Sequence, residues 1–306
     1  MGANKPVTDT FARRIVGVHG DKGQAWLKRL PAVIAACEEQ WSLSHVSPLA
    51  QMSYNYVAVA LRRDEVRVVL KLGVPNPGLD CEIEALGHFG GRGAVKLLEA
   101  DRQRGALLLE GLVPGETLAS LSDEEEATRI AARVMRRLWR PPDGQHAFPT
   151  VAEWASGLKR LRQRFEGQTG PLPRGLVEKA ESLFQVLLNS MDQPVLLHGD
   201  CHHDNILSHG SDWVVIDPKG VIGERAYEVA RFLHNPVPGF LNTPNPRDVV
   251  LRRVEIFGDE LGLDQGRLLA WGFCKTVLSA WWSIEDHNNG WQYAISCANI
   301  LNKLVD

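Results

Sequence analysis

The chain has 306 residues, of which 44% are hydrophobic and 23% charged, enough apolar material for about two packed domains and too much for a disordered chain. Thirty-four basic against 37 acidic residues leave a net charge of −3, which argues against the broad positive surface that grips duplex nucleic acid and leaves a small cationic ligand open. No apolar run reaches the ~20 residues of a membrane span, and Met1 to Thr10 lacks the layout of a secretory signal, so the expectation is a cytoplasmic protein with no membrane partner.

Taken in chain order, apolar spacing predicts helices over Phe11 to Val18 and Gln24 to Trp41, closed by Pro48. Short strands follow at Tyr54 to Leu61, Val66 to Leu72, Ala94 to Glu99 and Ala106 to Glu110, interrupted by one helix, Cys81 to Phe89, that ends at Gly90-Gly91. Beyond Leu112 the pattern turns helical. Ser122 with Glu125 reads as a capping box opening a helix to about Trp139, and Thr150 with Glu153 as a second, for a helix to about Phe165. Further helices are expected at Glu178 to Leu188, Pro246 to Leu261, Asp264 to Glu285 and Trp291 to Leu304, around a strand-rich island, Val195 to Pro218. The fold class is therefore α+β, with a small antiparallel-sheet lobe carrying one key helix (residues 1–111) and a larger, mainly helical lobe (112–306). The expected cleft lies near Leu112. The five cysteines are widely spaced, with no C-x-x-C pair, and read as reduced and mostly structural, with a reactive role as the alternative for Cys201 in the strand-rich island.

The island carries the chemistry. Two apolar runs, Ile206-Leu207 and Trp213 to Ile216, flank a turn at His209 to Asp212, a hairpin pattern. The midpoint between Asn205 and Asp217 is Ser211, so folding about that residue is expected to set the Asn205 amide beside the Asp217 carboxylate, with Asp200 on the loop leading in. One amide oxygen and one carboxylate suit a hard cation such as magnesium, and a second carboxylate nearby suits the orienting of an attacking hydroxyl, which are the parts phosphoryl transfer requires. A rival reading takes His198, His202, His203 and Asp204 as a transition-metal site of a metallohydrolase, since imidazole and carboxylate are its usual ligands. Upstream, alternation places Lys71 on the strand face opposite Val68, Leu70 and Leu72, and the helix that follows brings Glu82 on the face of Leu86 and Phe89. A Lys71–Glu82 pair would aim an ammonium at nucleotide phosphates.

These residues resemble the aminoglycoside phosphotransferases, which share the protein-kinase-like fold. Longer stretches, Val69 to Pro75, Gly91 to Asp101, Arg137 to Pro142 and Asp217 to Gly220, are similar to the streptomycin 6-kinase branch, also called the aminoglycoside/hydroxyurea kinase group. The resemblance implies a bilobal ATP- and Mg2+-dependent kinase acting on a cationic small molecule. It implies Asp200 as catalytic base, Asn205 and Asp217 as magnesium ligands, Lys71 as the phosphate-binding lysine, Glu82 as its partner, and Glu228 as a brace of the catalytic loop. It also implies a hinge at Glu110-Gly111-Leu112 whose backbone holds adenine. The loop Ala50 to Tyr56 has no glycine, so Ser53 and backbone amides are expected to cover the phosphates. Gly199 stands where protein kinases carry the H-R-D arginine, and neither D-F-G nor A-P-E is present, which implies a kinase without a phosphorylated switch loop.

A cationic acceptor calls for carboxylates and aromatic planes. The late helix offers Trp281 with Glu285 and Trp282 with Asp286, each spaced i and i+4, as the substrate face; Glu224 and Glu153 are further candidates. The leading expectation is transfer of the γ-phosphoryl group to a hydroxyl of streptomycin, at its 6-position. The alternatives are hydroxyurea or another small alcohol as acceptor, and a nucleotide-binding pseudokinase.

Overall fold

A long helix broken at one glycine opens the chain: α1, Asp9–Trp41, begins on the Thr8 side chain, which accepts from the Phe11 amide, and is interrupted at Gly20, whose φ of +54° no continuous helix allows. The two helices expected there are its halves. The computed structural model describes residues 7–50, 52–142, 148–191, 193–287 and 290–305, and the chain divides into two compact units, Met1–Gly115 and Glu116–Asp306.

In the first unit α1 leads into β1 (Ser44–Pro48), β2 (Tyr56–Leu61), β3 (Arg67–Leu72), α2 (Pro77–Phe89), β4 (Leu97–Asp101) and β5 (Ala106–Glu110). They form one antiparallel sheet in the order β1-β2-β3-β5-β4. Strand β1 is a finding the sequence reading lacks; four of its five residues are exposed, so it carries no apolar alternation to detect. Phe11, Ile15, Trp26 and Leu30 of α1 share one core with Ala58, Ala60, Val68, Leu70 and Leu72 of the sheet. Helix α2 starts four residues ahead of the expected Cys81 because the Asn76 side chain accepts from the Gly78 and Leu79 amides and Pro77 takes the first helical position.

The boundary between units falls within β6 (Pro114–Thr117). The second unit continues with α3 (Glu124–Leu138), α4 (Val151–Ala155), α5 (Gly157–Arg164), α6 (Arg174–Asn189), β7 (Val195–Leu197), β8 (Ile206–His209), β9 (Asp212–Val215) and β10 (Val221–Gly223). Four helices complete it: α7 (Arg225–Val229), α8 (Pro246–Leu261), α9 (Gln265–His287) and α10 (Trp291–Asn302). The cap of α3 is Asp123, one residue past the expected Ser122, with its carboxylate accepting from the Glu125 and Glu126 amides. The Thr150–Glu153 capping box forms as expected, but its helix breaks at Ser156 into α4 and α5. Gly157 begins α5 in close contact with α9: a Cβ there would stand 2.9 Å from Leu278 Cδ1. Helix α9 is the buried axis of this unit; Trp271 alone packs edge-on against Phe184 and Tyr227.

Candidate active site

The loop between β7 and β8 holds Asp200, and its conformation follows from how few of its polar groups are left to solvent. All three residues of β7 are buried, so the strand delivers His198 into the interior. The His198 ring accepts from the Asp200 amide at Nδ1 (3.1 Å) and lies 2.7 Å from the Ile216 carbonyl at Nε2, which assigns the proton to Nε2. Burial lowers its pKa to about 4, so the ring is neutral. Glu228 of α7, fully buried, accepts from the His198 amide (2.6 Å) and the Gly199 amide (2.9 Å). The Asp200 carbonyl accepts from Asn205 Nδ2 at 3.0 Å.

The Asp200 carboxylate is partly exposed, with Arg231 Nε donating to Oδ1 at 3.1 Å and His202 Nε2 3.8 Å from Oδ2. Burial by itself would raise its pKa; the positive charges of Arg231, then His202, Lys219 and Lys275, outweigh that and hold it well below the usual carboxylate range. Cys201, next in the chain, is buried and its thiol is pushed well up by that burial, so it stays protonated and unreactive at neutral pH.

The hairpin of β8 and β9 pairs Ile206 with Val215 and His209 with Asp212, so its centre falls between Gly210 and Ser211. Asn205 consequently faces Ile216, whose amide donates to its carbonyl at 2.9 Å, and Asp217 stands one residue past the pairing expected from a centre on Ser211. Asp217 leaves the strand with φ +59°, a left-handed conformation uncommon for a residue with a side chain and concentrated at functional sites. Because Asn205 Nδ2 is committed to the Asp200 carbonyl, its Oδ1 is the atom open to a cation. The Asn205 amide oxygen and the Asp217 carboxylate are both oxygen donors, the chemistry that fits magnesium, which takes few protein ligands alongside phosphate oxygens. Among the described residues no group of three or more His, Cys, Asp or Glu side chains could hold a metal ion. The transition-metal alternative is corrected accordingly: His198 is committed to the Ile216 carbonyl and the Asp200 amide, and His203 is buried and stacked on Phe232 with centroids 3.9 Å apart.

In the first unit Lys71 and Glu82 are both buried, and Lys71 Nζ donates to Glu82 Oε1 at 2.5 Å. The lysine projects from the sheet face opposite the α1 core, and the start of α2 on Asn76 sets Glu82 within its reach. Ser53 is exposed; Arg14 of α1 donates to the Met52 and Ser53 carbonyls at 3.1 and 3.3 Å and lies 5.8 Å from the Tyr54 ring centre, tying this loop down. Gln51 of that loop lies outside the described residues. At the expected hinge, the Glu110 and Gly111 amides donate to the Lys96 and Arg67 carbonyls, and Leu112 is buried. A Cβ on Gly111 would stand 2.5 Å from the Arg67 carbonyl oxygen, so this position admits only glycine.

The substrate residues expected on α9 divide. Trp281 is 1% exposed and belongs to the core, so it offers no plane to a ligand. Glu285 accepts two hydrogen bonds from Arg160, at 2.7 and 2.9 Å. Trp282 is half-buried with its edge against Trp154, and Asp286 is exposed. Glu224 is held by Arg267, and Glu153 is spent in its capping box. Three residues packed on the Asp200 loop are absent from the sequence analysis: Arg231, which donates to the Asp200 carboxylate, Lys275, which donates to the Gly199 carbonyl, and Trp154, beside Gly199. Trp154 follows the Thr150–Glu153 capping box with no chemical signature of its own, and Arg231 lies in a turn after α7 without a motif. Lys275 had a signal, as the one charge between Leu268 and Ser283.

A buried lysine–glutamate pair between strand and helix, with an Asp-x4-Asn loop and an aspartate closing the next hairpin, defines a phosphotransferase of protein-kinase-like fold. The chain belongs to the aminoglycoside/hydroxyurea antibiotic resistance kinase family, which it matches over residues 40–287. It is 29% identical over 283 residues to streptomycin 6-kinase of Streptomyces griseus, covering 92% of this chain and 91% of that one. It is 31% identical over 274 residues to hydroxyurea phosphotransferase of Kitasatospora aureofaciens, covering 87% and 77%. Among solved structures, a thermostable mutant of aminoglycoside phosphotransferase APH(4)-Ia, in ternary complex with ADP and hygromycin B, shares the fold at a TM-score of 0.63 and 16% identity, covering 88% of this chain and 96% of that one. A choline/ethanolamine kinase family protein from Mesorhizobium loti shares it at 0.66 and 15%, covering 91% and 94%. No helix among the described residues is long and apolar enough to cross a membrane.

Proposed function

We propose that this kinase transfers the γ-phosphoryl group of ATP to a hydroxyl of streptomycin, at its 6-position. The observation that carries the reading is Asp200 on a loop whose flanking amides and carbonyls are hydrogen-bonded, next to an asparagine fastened to its own carbonyl. In this reading Asp200 orients the acceptor hydroxyl. Held ionised by Arg231, it is a weak base that takes the proton late, which suits a loose transition state needing alignment more than basicity. Lys71, aimed by Glu82, binds nucleotide phosphates, and the exposed Ser53 with neighbouring amides covers them. With the Glu110 and Gly111 amides engaged in the sheet, adenine falls to the Glu110 carbonyl and the Leu112 amide. Asn205 Oδ1 and the Asp217 carboxylate would hold magnesium, which when bound neutralises charge on the phosphate oxygens.

Support for streptomycin comes from the relatives of that name, each covered over most of its length. A polycationic acceptor also suits the exposed Asp286 and the half-buried Trp282, with Glu285 joining them only on release from Arg160. The hydroxyurea phosphotransferase relative, at a slightly higher identity, supports that acceptor as a second reading. Mass spectrometry of streptomycin, hydroxyurea and choline after incubation with the protein, ATP and magnesium distinguishes them. Streptomycin is expected to gain one phosphoryl group. Modification of hydroxyurea alone would replace the acceptor assignment, and modification of choline alone would remove the antibiotic reading.

A further inference from the structure

Lys275 sits in the middle of α9, 1% exposed, where an apolar side chain would fill the space without desolvating a charge. Its ammonium nevertheless has a defined target. Nζ donates to the Gly199 carbonyl at 2.5 Å, and the Tyr227 ring covers it with the centroid 4.7 Å away. Burial lowers its pKa to about 8, while the charges of Asp200 and Glu228 act in the opposite sense and favour the ammonium.

The carbonyl it grips is the informative part. The Gly199 C=O and the Asp200 N–H belong to one planar peptide unit. Lys275 holds the oxygen of that plane, and His198 Nδ1 holds its N–H at 3.1 Å. The preceding plane is held in the same way, with the Gly199 amide on Glu228 and the His198 carbonyl accepting from the Lys219 amide at 2.8 Å. Gly199 itself has φ +83°, and a Cβ there would meet Trp154 Cη2 at 2.8 Å and Val221 Cγ1 at 2.9 Å. Rotation of these two planes about Gly199 is the motion that would swing the Asp200 carboxylate, and Lys275 is the charged side chain that α9 contributes against it.

We propose that Lys275 is a positioning residue for phosphoryl transfer, fixing the Gly199–Asp200 peptide so that the Asp200 carboxylate meets the acceptor hydroxyl in line. The proposal rests on Asp200 as the orienting base. A misplacement of about 1 Å at a reacting group costs up to about a hundredfold in rate. Lys275→Met, which keeps the length and loses the charge, is therefore expected to lower kcat by roughly ten- to a hundredfold while KM for ATP and for streptomycin stays within about twofold. Lys275→Arg, which keeps a donor and a charge, is expected to recover part of kcat. The double variant Lys275→Met/Glu228→Gln leaves no lone buried charge, so it decides the matter if the single variant does not fold. Thermal melting establishes folding in each case, and Asp200→Asn is measured beside them.

A folded Lys275→Met or double variant with kcat within about twofold of wild type overturns the proposal, as does a proportional rise in KM with kcat unchanged. If neither variant folds, Lys275 is a residue of the core and the positioning role is discarded. Failure of the base assignment is separately visible, because Asp200→Asn would then turn over like wild type.

Discussion

Each unit of this kinase buries one lysine and one glutamate close together, and the two arrangements differ in what stands between the charges. In the first unit Lys71 donates straight to Glu82, making a compact ion pair. In the second, Lys275 and Glu228 take opposite groups of the same glycine, the carbonyl and the amide of Gly199, and meet through the backbone. A direct pair fixes the direction of an ammonium and suits it to a bound ligand. A pair divided by a peptide fixes the backbone and suits it to orienting the residue that follows. In the proposed mechanism the two chemically identical pairs divide between ligand binding and loop geometry.

Substitution separates the two arrangements. The largest effect is expected outside both pairs: Asp217→Ala should abolish magnesium-dependent transfer while the melting temperature changes little, and full activity at low magnesium would remove Asp217 from the metal site. Next, Lys71→Ala should cost about one to two decades in kcat/KM for ATP, the range for losing a charge-assisted hydrogen bond of 1.5–3 kcal/mol. If instead the loss fell on kcat alone, with ATP affinity unchanged, the ligand-binding half of the comparison would fail.

The third expectation concerns pH. His198 is held neutral at about 4 against an ordinary value of 6.5, and burial likewise lowers His234. Between those two pH values the unfolded chain binds more protons than the folded one. Stability therefore falls as pH drops from 6.5 toward 4, at about 1.4 kcal/mol per pH unit for His198, with His234 acting in the same direction. Urea unfolding across that window checks it, and a flat profile would mean that the His198 brace is not neutral. The smallest effect is expected from Gly199→Ala, where a methyl must enter against Trp154 and Val221 at positive φ; a loss of about 1–3 kcal/mol in unfolding free energy is expected, with kcat reduced in the folded fraction.

Much of this was legible in the sequence, for identifiable reasons. The sheet strands β2, β3 and β5 alternate or run apolar, and Thr-x-x-Glu and Gly-Gly mark helix ends by hydrogen bonds local to a few residues, whereas the Asn76-Pro77 start of α2 is one the sequence reading lacks. Asp200, Asn205, Asp217 and the Lys71–Glu82 pair lie in short segments whose spacing reflects local geometry. What stayed hidden depends on contacts distant in sequence. Lys275 stands 76 residues from the carbonyl it holds, and Arg231 stands 31 from Asp200. The hairpin centre differs by half a residue because spacing alone cannot tell a two-residue turn, Gly210-Ser211, from one centred on Ser211, so Asn205 faces Ile216 rather than Asp217. Trp281 and Trp282 are adjacent on one helix, and which of them faces the core depends on packing against α5 that no i, i+4 count contains.

In the proposed mechanism Asp200 governs the transfer step itself. Rapid-quench measurement of a single turnover, with ATP, magnesium and streptomycin saturating, compares wild type with Asp200→Asn. Phosphoryl transfer by Asp200→Asn is expected to slow by about two to four decades, the range for loss of a general base, with the binding of ATP and of streptomycin retained. Transfer by Asp200→Asn at the wild-type rate would contradict it.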